Sequence, residues 1–464
     1  MMNSSIPAWV SKSVFYQIFP ERFCNGDPSN DPAGTLPWGD PPGLDTFFGG
    51  DLAGIIERLP YLADLEINAL YLTPIFSANT NHKYDACDYM LIDPAFGDLE
   101  TFKKLVKAAH QKDIRIVLDA VFNHCGDGFW AFQDLLQRGK RSKYRDWFIS
   151  DTFPIVQKPT NYQTCGGTHY LPKLNTENNE VRAYFLRVAQ YWLEETDIDG
   201  WRLDVPWKVS ADFWLEFREV VKRSNPDAYI VAEAWRDPAP WVNSGTSDAI
   251  MNYPLCDLIF DYCVHDRMDA EDFYYFTRRL LDTYGEAAPY QLNLLGSHDT
   301  ARILTVCAGD KARMRLAVIT AFTLPGAPMI YYGDEIGLSG ENDPDCRRCM
   351  NWSEAEWDED IHDLYKQLIQ LRKVHPALQT GSMDALLIFN GVFAFQRKMA
   401  PDEMIIVLNP REARQQVHIP LPDEYQEGVH FKEYFSGKII SSQNGQLILD
   451  SVAQKSALIF IPVS

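Results

Sequence analysis

The sequence predicts an α/β protein built on a (β/α)₈ TIM barrel, with an inserted subdomain after the third strand and an all-β domain at the C-terminal end. Two observations support this fold class. Eight short apolar runs alternate with segments of helical periodicity, and this alternation stops near residue 379. The length of 464 residues suits one barrel with insertions and a small companion domain.

The predicted barrel strands are short runs rich in β-branched and aromatic residues. In chain order they are Val14–Phe19, Ala69–Pro74, Ile114–Asp119, Gly200–Asp204, Ala228–Glu233, Ile250–Tyr253, Leu292–Gly296 and Pro328–Tyr332. Helical spacing of apolar residues recurs between them, in Leu99–Gln111, Val181–Glu195, Ala211–Ser224 and Lys311–Leu324. A parallel barrel therefore fits better than an open sheet.

Three domains follow from the spacing of these elements. Residues 1–123 and 175–379 are the predicted barrel, whereas the long aromatic and glycine-rich stretch 124–174 is predicted to be an inserted subdomain. Residues 380–464 contain short alternating runs separated by turn residues, which predict a C-terminal β-sandwich domain.

Composition narrows the classes of partner. The chain has 43 Lys and Arg against 64 Asp and Glu, a formal charge of −21, which disfavours nucleic acid and anionic membranes. The aromatic fraction of 13% is typical of proteins that stack sugar rings. Met1–Lys12 holds no signal-like apolar segment, and nine scattered cysteines form no disulfide framework, so we expect a cytoplasmic protein.

Cys346 and Cys349 form a Cys-x-x-Cys motif. No second pair at zinc spacing accompanies it, and the intervening Arg347 and Arg348 disfavour a cation. A metal or redox role is the less favoured interpretation of this motif.

Acidic residues stand at the predicted carboxyl ends of three barrel strands. Asp204 ends the fourth strand, Glu233 ends the fifth, and Asp299 follows the seventh. Strand ends converge on one face of a barrel. Cleavage of an acetal between two sugars needs one group to protonate the leaving oxygen and another to trap the oxocarbenium-like carbon, and two carboxylates can do this.

The flanking residues predict how the two acids divide these roles. Arg202 lies two residues before Asp204, so both side chains face the barrel interior and the guanidinium is expected to keep Asp204 ionised as a nucleophile. Glu233 stands among the apolar neighbours of Val231–Trp235, which are expected to keep it protonated as an acid.

His124 and His298 are candidate hydrogen-bond donors to sugar hydroxyls, and Asp299 is a candidate acceptor. Each acid taken alone is most simply an ordinary residue of the barrel rim. Three acids, two histidines and an arginine at matching strand ends are better explained by an active site.

Four segments at these positions resemble the motifs of the α-amylase family, glycoside hydrolase family 13. They are Asp119–His124, Gly200–Asp204, Val231–Trp235 and Ser297–Asp299. The resemblance covers nearly the whole chain. It implies that Asp204 is the nucleophile, Glu233 the general acid/base and Asp299 the transition-state stabiliser.

Within that family the sequence is most similar to the neopullulanase, cyclomaltodextrinase and maltogenic amylase group, on the strength of Leu171–Asn175 and Asp343–Arg348. The resemblance implies that Asn81–Asp85 supplies a histidine and a stacking tyrosine, His82 and Tyr84. It also implies that Asp343 and Arg347 hold the second sugar on the non-reducing side, although a loop ion pair is the alternative. Trp235 is a further predicted substrate contact.

Two oxygen-rich segments, Asn25–Asp31 and Gly49–Asp51, have the hard ligands that calcium prefers. The group resembled carries calcium here, which implies a structural ion held by Asn25, Asp27, Asn30, Asp31, the Gly49 carbonyl and Asp51. The alternative is a loop of Asx turns that binds nothing.

The sequence departs from the group in three places. Members usually have an N-terminal β domain that builds a dimer, whereas the first strand here begins near Ser13, so we expect a monomer or weak homodimer. Val205–Lys208 stands where the group has Ala-Asn-Glu, which affects the leaving-group side. Asp85–Asp88 reads Asp-Ala-Cys-Asp in place of Asp-Thr-Ala-Asp.

Three functions remain open at this point. The first is a retaining hydrolase of α-1,4 bonds, with α-1,6 bonds as a further option, in maltodextrins, cyclodextrins or pullulan. The second is a transglycosylase in which Trp207, Lys208 and Trp235 contact an acceptor sugar. The third is a non-catalytic barrel, which the presence of all three acids disfavours.

Overall fold

Eight parallel strands close into a barrel in this computed structural model, which describes residues 6–423, 425 and 428–463. The predicted fold class is confirmed, and each predicted strand lies in the ring. Residues 1–5, 424, 426, 427 and 464 of the predicted domain ranges lie outside the described residues. Strands β1 to β8 are Phe15–Ile18, Ala69–Leu72, Arg115–Ala120, Gly200–Leu203, Tyr229–Ala234, Ala249–Asn252, Leu292–Leu294 and Ala327–Tyr331.

Alternation along each strand decides which side chains point into the barrel. In β5 Tyr229 and Val231 belong to the interior cluster, whereas Ile230 and Ala232 pack outward against the helices. Glu233 continues the inward series, because side chains two apart on a strand share a face. The same rule places Arg202 inside β4.

Most of the helices surround the barrel and cover its outer apolar face. Helices α1 to α9 are Leu52–Asp64, Leu99–His110, Trp130–Arg138, Asn179–Thr196, Ala211–Ser224, Tyr253–Ile259, Ala270–Tyr284, Lys311–Thr323 and Glu359–Val374. Shorter helical segments are Pro20–Phe23, Ala239–Val242, Ile303–Val306, Pro376–Thr380 and the π-helical turn Phe260–Val264. The four predicted helices agree with these bounds to within two residues at each end. Within the described part of the chain, no helix has the length and apolarity needed to span a bilayer.

The stretch 124–174 leaves the barrel after β3 and contains α3 and several isolated β-bridges. Two of these bridges, His124 to Lys173 and Thr164 to Pro172, hold its returning segment beside the end of β3. A two-stranded hairpin, Phe76–Ala78 paired with Ala86–Ile92, follows β2 and was not predicted. Both segments lie at the carboxyl ends of the barrel strands and therefore shape that face.

The C-terminal part of the chain is all β, as predicted. Strands β9 to β16 are Ser382–Phe389, Val392–Met399, Asp402–Asn409, Gln415–Pro420, His430–Glu433, Ile439–Ser441, Gln446–Val452 and Ser456–Val463. Six of them form one sheet in the order β9-β10-β11-β16-β13-β14, and β12 pairs with β15. An apolar cluster that includes Val407 and Val417 joins the two sheets. The short alternating runs identified in the sequence did not include β12 to β15.

Candidate active site

One guanidinium lies between the two principal acids. Arg202 Nη1 donates to Asp204 Oδ1 at 2.7 Å, and its Nη2 lies 3.1 Å from Glu233 Oε2. All three side chains are buried at the carboxyl ends of β4 and β5. The structure therefore places the predicted nucleophile and the predicted acid/base on one shared guanidinium.

A third buried carboxylate, Asp119 on β3, was not among the predicted site residues. It accepts hydrogen bonds from Tyr71 at 2.6 Å and from Tyr84 at 2.9 Å, and Arg202 donates to both of its oxygens. Its place in the Asp119–His124 motif, two residues after the inward-facing Val117, is the signal that could have identified it. Asp119 holds Arg202 and Tyr84 in position.

Burial decides the electrostatics of Asp204. It raises the pKa of the Asp204 carboxyl well above the usual range, the like charges of Glu233 and Asp119 add to that rise, and Arg202 acts against it. The predicted Arg202 contact is present and acts in the predicted direction, since it lowers the pKa of Asp204, but burial outweighs it. One guanidinium shared by three carboxylates does not outweigh the loss of solvent.

Glu233 lies in a more polar setting than its alanine and valine neighbours suggest. Trp235 donates its indole N–H to Glu233 Oε1 at 2.7 Å, and the backbone N–H of Val205 donates to Oε2 at 2.8 Å. Arg202 Nη2 forms an ion pair with Oε2, so the carboxyl group has two hydrogen-bond donors and one cationic neighbour. The predicted apolar environment of Glu233 is therefore wrong, because Arg202 and Val205, which are distant in sequence, contribute polar contacts.

The cleft histidines are uncharged. Burial lowers the pKa of His124 to about 4 and that of His82 to about 3, and burial beside Arg347 and Arg202 lowers the pKa of His298 well below its usual range. Neutral imidazoles offer one N–H donor and one acceptor each, which suits recognition of sugar hydroxyls.

The hydrogen bonds of His298 indicate its tautomer. The side-chain amide of Gln17 lies 2.7 Å from Nδ1 and can only donate there through its nitrogen, so Nε2 carries the proton. Nε2 lies 2.6 Å from the Tyr84 hydroxyl and 3.2 Å from Asp299 Oδ2, and the two rings stack. Gln17, which the sequence analysis missed, thus aims His298 at Asp299.

His124 and His82 are each held through Nδ1. Asn123 lies 3.2 Å from Nδ1 of His124, and the buried Nε2 of His124 has no partner among the residues described. The backbone N–H of Tyr84 donates to His82 Nδ1 at 3.1 Å. The free edge of His124 is available to a ligand in the cleft.

Asp299 belongs to a second charged cluster, which it forms with Arg347 and Asp343. Arg347 contacts Asp299 at 3.2 Å and Asp343 at 3.1 Å, and it donates to the His298 carbonyl at 2.8 Å. The predicted Asp343–Arg347 pair therefore exists as an ion pair. Asp299 and Asp343 remain about one-third exposed, at 33% and 38%, so they can still accept a ligand.

Aromatic side chains follow both acids along the chain. Trp235 stacks on Tyr253 with ring centroids 3.9 Å apart, and the Tyr253 hydroxyl lies 3.0 Å from Ser297 Oγ. Trp235 and Trp207 keep 36% and 47% of their surface exposed. Tyr253 belongs to none of the sequence motifs. It links Trp235, which donates to Glu233, to Ser297, which precedes Asp299.

The predicted calcium loop is built around Asp51. The Asp51 carboxylate accepts from the backbone of Gly26, Asp27 and Gly54 and from the Asn30 amide at 3.0 Å. Asn25 donates to Asp31 at 2.9 Å. A Cβ on Gly49, where φ is +80°, would collide with both Asn25 and Asp31.

A cation would complete part of this loop. The side-chain oxygens of Asn25 and Asn30 are buried and lack any partner in the described part of the structure. Asp27, by contrast, accepts from Ser29 within its own turn. The unpartnered amide oxygens of Asn25 and Asn30 suit a hard cation. Of the predicted ligands, Asp27 instead forms an Asx turn with Ser29.

The Cys346 and Cys349 thiols are both buried and free. Burial raises the pKa of Cys346 to about 12 and that of Cys349 to about 11, so both stay protonated. Cys346 Sγ contacts the His298 carbonyl at 3.4 Å. Over the residues described, no group of three or more His, Cys, Asp and Glu side chains is arranged to hold a metal.

A parallel barrel whose strand ends present two carboxylates on one arginine, a third acid and neutral histidines has the features of a glycoside hydrolase. The sequence profile described as alpha amylase, catalytic domain matches residues 17–381. The chain belongs to the α-amylase family.

Individual relatives agree with this assignment. A cyclomaltodextrinase from Bacillus sp is 49% identical over 413 residues, which cover 88% of this chain and 74% of that protein. Neopullulanase 2 from Thermoactinomyces vulgaris is 46% identical over 450 residues, 96% and 76% of the two chains. The ligand-free cyclic α-maltosyl-(1→6)-maltose hydrolase of Arthrobacter globiformis superimposes with a TM-score of 0.90 at 41% identity, covering 99% of this chain and 100% of that one.

Proposed function

We propose that this protein is a retaining hydrolase of α-1,4 glucosidic bonds in maltodextrins, cyclodextrins or pullulan, with α-1,6 bonds as a further target. The observation that carries the proposal is the single Arg202 guanidinium in contact with Asp204 at 2.7 Å and Glu233 at 3.1 Å. We propose retention because the unpartnered Asp204 Oδ2 can attack the anomeric carbon directly, which is the role of one of the two carboxylates in the retaining mechanism.

Glu233 donates its proton to the glycosidic oxygen while Asp204 Oδ2 attacks the anomeric carbon. The buried Oδ2 has no hydrogen-bond partner among the described residues and is free to form the bond. A glycosyl ester of Asp204 results, and the shortened glucan leaves with the proton. Glu233, now a carboxylate, deprotonates a water molecule that hydrolyses the ester with a second inversion.

Positive charge that develops on the anomeric carbon favours the ionised form of Asp204 and so opposes the effect of burial.

The remaining contacts hold the sugar. Asp299 accepts from ring hydroxyls of the distorted sugar, and His124 and His298 donate to them. Further sugar contacts are proposed for His82, Tyr84, Arg202, Trp235, Asp343 and Arg347.

Transfer to a second sugar is the other candidate function. Trp207 and Trp235 expose aromatic surface directly after the nucleophile and the acid/base, and Lys208 is exposed beside them. Aromatic faces stack on sugar rings. Products longer than maltotriose early in the reaction would indicate transfer, whereas only shorter products would indicate hydrolysis.

A structural calcium ion is proposed in the loop after β1. Asn25, Asn30, Asp31 and the Gly49 carbonyl would hold it, with Asp27 and Asp51 as the neighbouring acids. Such an ion would neutralise their negative charge and pin the loop. The two orphaned amide oxygens support this site.

We also infer a cytoplasmic location and a monomer or weak homodimer, without nucleic acid or membrane as partner. The nine free thiols suit a reducing compartment. The charge of −21 opposes both self-association and binding to polyanions.

The variant Asp204→Asn tests the catalytic assignment. The carboxamide cannot form the glycosyl ester, so we expect kcat for maltotriose to fall by roughly four orders of magnitude or more. The control Asp212→Asn removes an exposed acid on α5 and should keep full activity. Chromatography of products from maltotriose, β-cyclodextrin, pullulan and panose then defines the substrate. Wild-type activity of Asp204→Asn would overturn the assignment.

A further inference from the structure

The backbone directly after the nucleophile is strained. Val205 adopts the left-handed conformation, with φ 40° and ψ 47°. That region is a steric outlier for a β-branched residue. Residue 206 is proline, and its ring pushes the preceding residue towards extended conformations. Two independent effects therefore oppose the conformation that Val205 has.

Contacts beyond Val205 prevent the corner from relaxing. The Pro206 carbonyl accepts from the Trp214 indole at 3.0 Å and from the Val209 N–H at 3.2 Å. The Val205 carbonyl accepts from the Lys208 N–H at 3.0 Å. Pro206 is buried and begins the short 3₁₀ helix Pro206–Lys208. Strained backbone persists where its surroundings over-determine it, and such sites cluster at active centres.

The strained corner serves the neighbouring acid. The Val205 N–H donates to Glu233 Oε2 at 2.8 Å. Because the chain after Val205 is anchored through Pro206, relief of the strain has to rotate the peptide between Asp204 and Val205. That rotation carries the N–H away from Glu233.

We propose that the Val205–Pro206 corner is a positioning device for the proton donor, which holds the Val205 N–H on Glu233 Oε2 and so fixes Glu233 relative to Asp204. Val205 acts through its backbone as a positioning residue. The inference rests on the proposed role of Glu233 as general acid/base.

The decisive variant replaces the Val205 amide by an ester, introduced as the α-hydroxy acid analogue of valine, which removes only the N–H. Maltotriose needs a proton on its leaving oxygen, whereas fluoride leaves α-maltosyl fluoride with little help from an acid. We expect kcat/KM for maltotriose to fall on the order of 10- to 100-fold, since the hydrogen bond to the carboxylate that forms as Glu233 releases its proton is lost. For α-maltosyl fluoride the change should stay within about threefold.

A matched control places the same ester at Val242, whose N–H donates to the Pro238 carbonyl at 3.2 Å and contacts neither acid nor the corner. The ratio of the two kcat/KM values should then match that of the wild-type protein. Trp214→Phe is a second variant, because it deletes the indole donor that anchors Pro206. It should lower the maltotriose value selectively, by roughly 3- to 10-fold, as expected for one neutral hydrogen bond. Circular dichroism verifies the fold of each variant.

Glu233→Gln separates failure of this inference from failure of the proposed function. If Glu233→Gln lowers kcat/KM equally for both substrates, or for neither, Glu233 is not the proton donor, and both the inference and the proposed function are overturned. Suppose instead that Glu233→Gln leaves kcat/KM for the fluoride unchanged and lowers it for maltotriose. If the Val205 ester then keeps the wild-type ratio of the two kcat/KM values, or lowers both equally, the positioning role is overturned and the proposed function stands.

Discussion

Individual histidines in the cleft link the chemistry of the site to the stability of the fold. Burial holds the pKa of His124 at about 4 and that of His82 at about 3, so both remain neutral where an unfolded histidine begins to bind a proton. This neutrality keeps an acceptor and a donor on each ring. It also makes the folded state bind fewer protons than the unfolded state in mildly acidic solution.

The sign of the pH effect follows from that difference. A base whose folded pKa lies below its unfolded value, about 6.5, has no effect above that pH and destabilises the fold as the pH falls below it. For His124 the loss continues down to about pH 4. The variant His124→Gln should therefore lower the slope of unfolding free energy against pH by up to roughly 1.4 kcal/mol per pH unit.

Urea unfolding at several pH values between about 4.5 and 7 measures that slope across the window below the unfolded histidine pKa. His418→Gln is the control, because His418 is exposed on β12 and should leave the slope unchanged. Equal slopes for the wild-type protein and His124→Gln would contradict the prediction.

The sequence predicts the main acids of the site because strand alternation and strand ends determine where they point. Arg202, Asp204 and Glu233 all follow that rule. The donor from Val205 and the role of Gln17 do not, since they depend on a left-handed backbone corner and on a strand distant in sequence. The pKa of Asp204 depends on the balance between burial and the charges around it. Residues distant in sequence set that balance, so it needs the structure.

At the scale of elements, a buried ionic cluster joins α5 to the start of β6. Asp248 lies between Arg218 at 2.6 Å and Lys222 at 2.8 Å, and it accepts from the Ile230 N–H at 2.9 Å. The Asp248 side chain is fully buried. Removing one member of such a cluster leaves the partner charge uncompensated.

Asp248→Asn should therefore destabilise the protein by about 3 to 5 kcal/mol while the folded fraction keeps its activity. Urea unfolding measures the loss. Glu219→Gln provides the contrast, because Glu219 and its partner Arg223 on the same helix are about 70% exposed, and their pair should contribute less than about 1 kcal/mol. A loss below about 1 kcal/mol for Asp248→Asn would show that the cluster is not needed.

The loop between β1 and α1 gives a second prediction for an element. If calcium binds Asn25, Asn30 and Asp31, saturation at about 100 times Kd stabilises the fold by roughly 2.7 kcal/mol. Chelation should lower the melting temperature, and added calcium should restore it. In Asp31→Asn both effects should shrink. An unchanged melting temperature after complete calcium removal would rule out the ion.

Element prediction worked best where the period was regular and the run was long. The eight barrel strands and four helices were found because buried strands and amphipathic helices have distinct periods. The hairpin Phe76–Ala78 with Ala86–Ile92 was missed because it is short and its pairing is irregular. The strand Ile439–Ser441 was missed because it is partly exposed and lacks the buried apolar run that marks the equally short strand Leu292–Leu294.

For the whole molecule, the barrel and the C-terminal sheet share one apolar core. A single cluster contains Ile319 and Phe322 of α8 together with Phe393, Leu408 and Ile459 of the sheet. The two parts are therefore not separate folding units, because the sheet covers apolar surface of a barrel helix.

A buried arginine reinforces this junction. Arg397 on β10 donates to the carbonyls of Thr323 at the end of α8 and of Gly381 and Ser382 at the boundary. All of its partners are backbone oxygens, so any separation of the sheet from the barrel leaves these groups without partners in a buried setting. Such a separation carries an unsatisfied polar cost in addition to the exposed apolar area.

We therefore predict a single cooperative unfolding transition for the full chain. All twelve tryptophans precede residue 380, so tryptophan fluorescence follows the barrel with its inserted stretch 124–174 and not the sheet. Hydrogen exchange of peptides from 392–409 follows the sheet. The two probes should give the same urea midpoint, because the shared core and Arg397 couple the two parts. Glu412→Gln, which removes an exposed ion pair with Arg313, should leave that coincidence intact. A sheet that exchanges at lower urea than the barrel unfolds would show that the junction does not couple them.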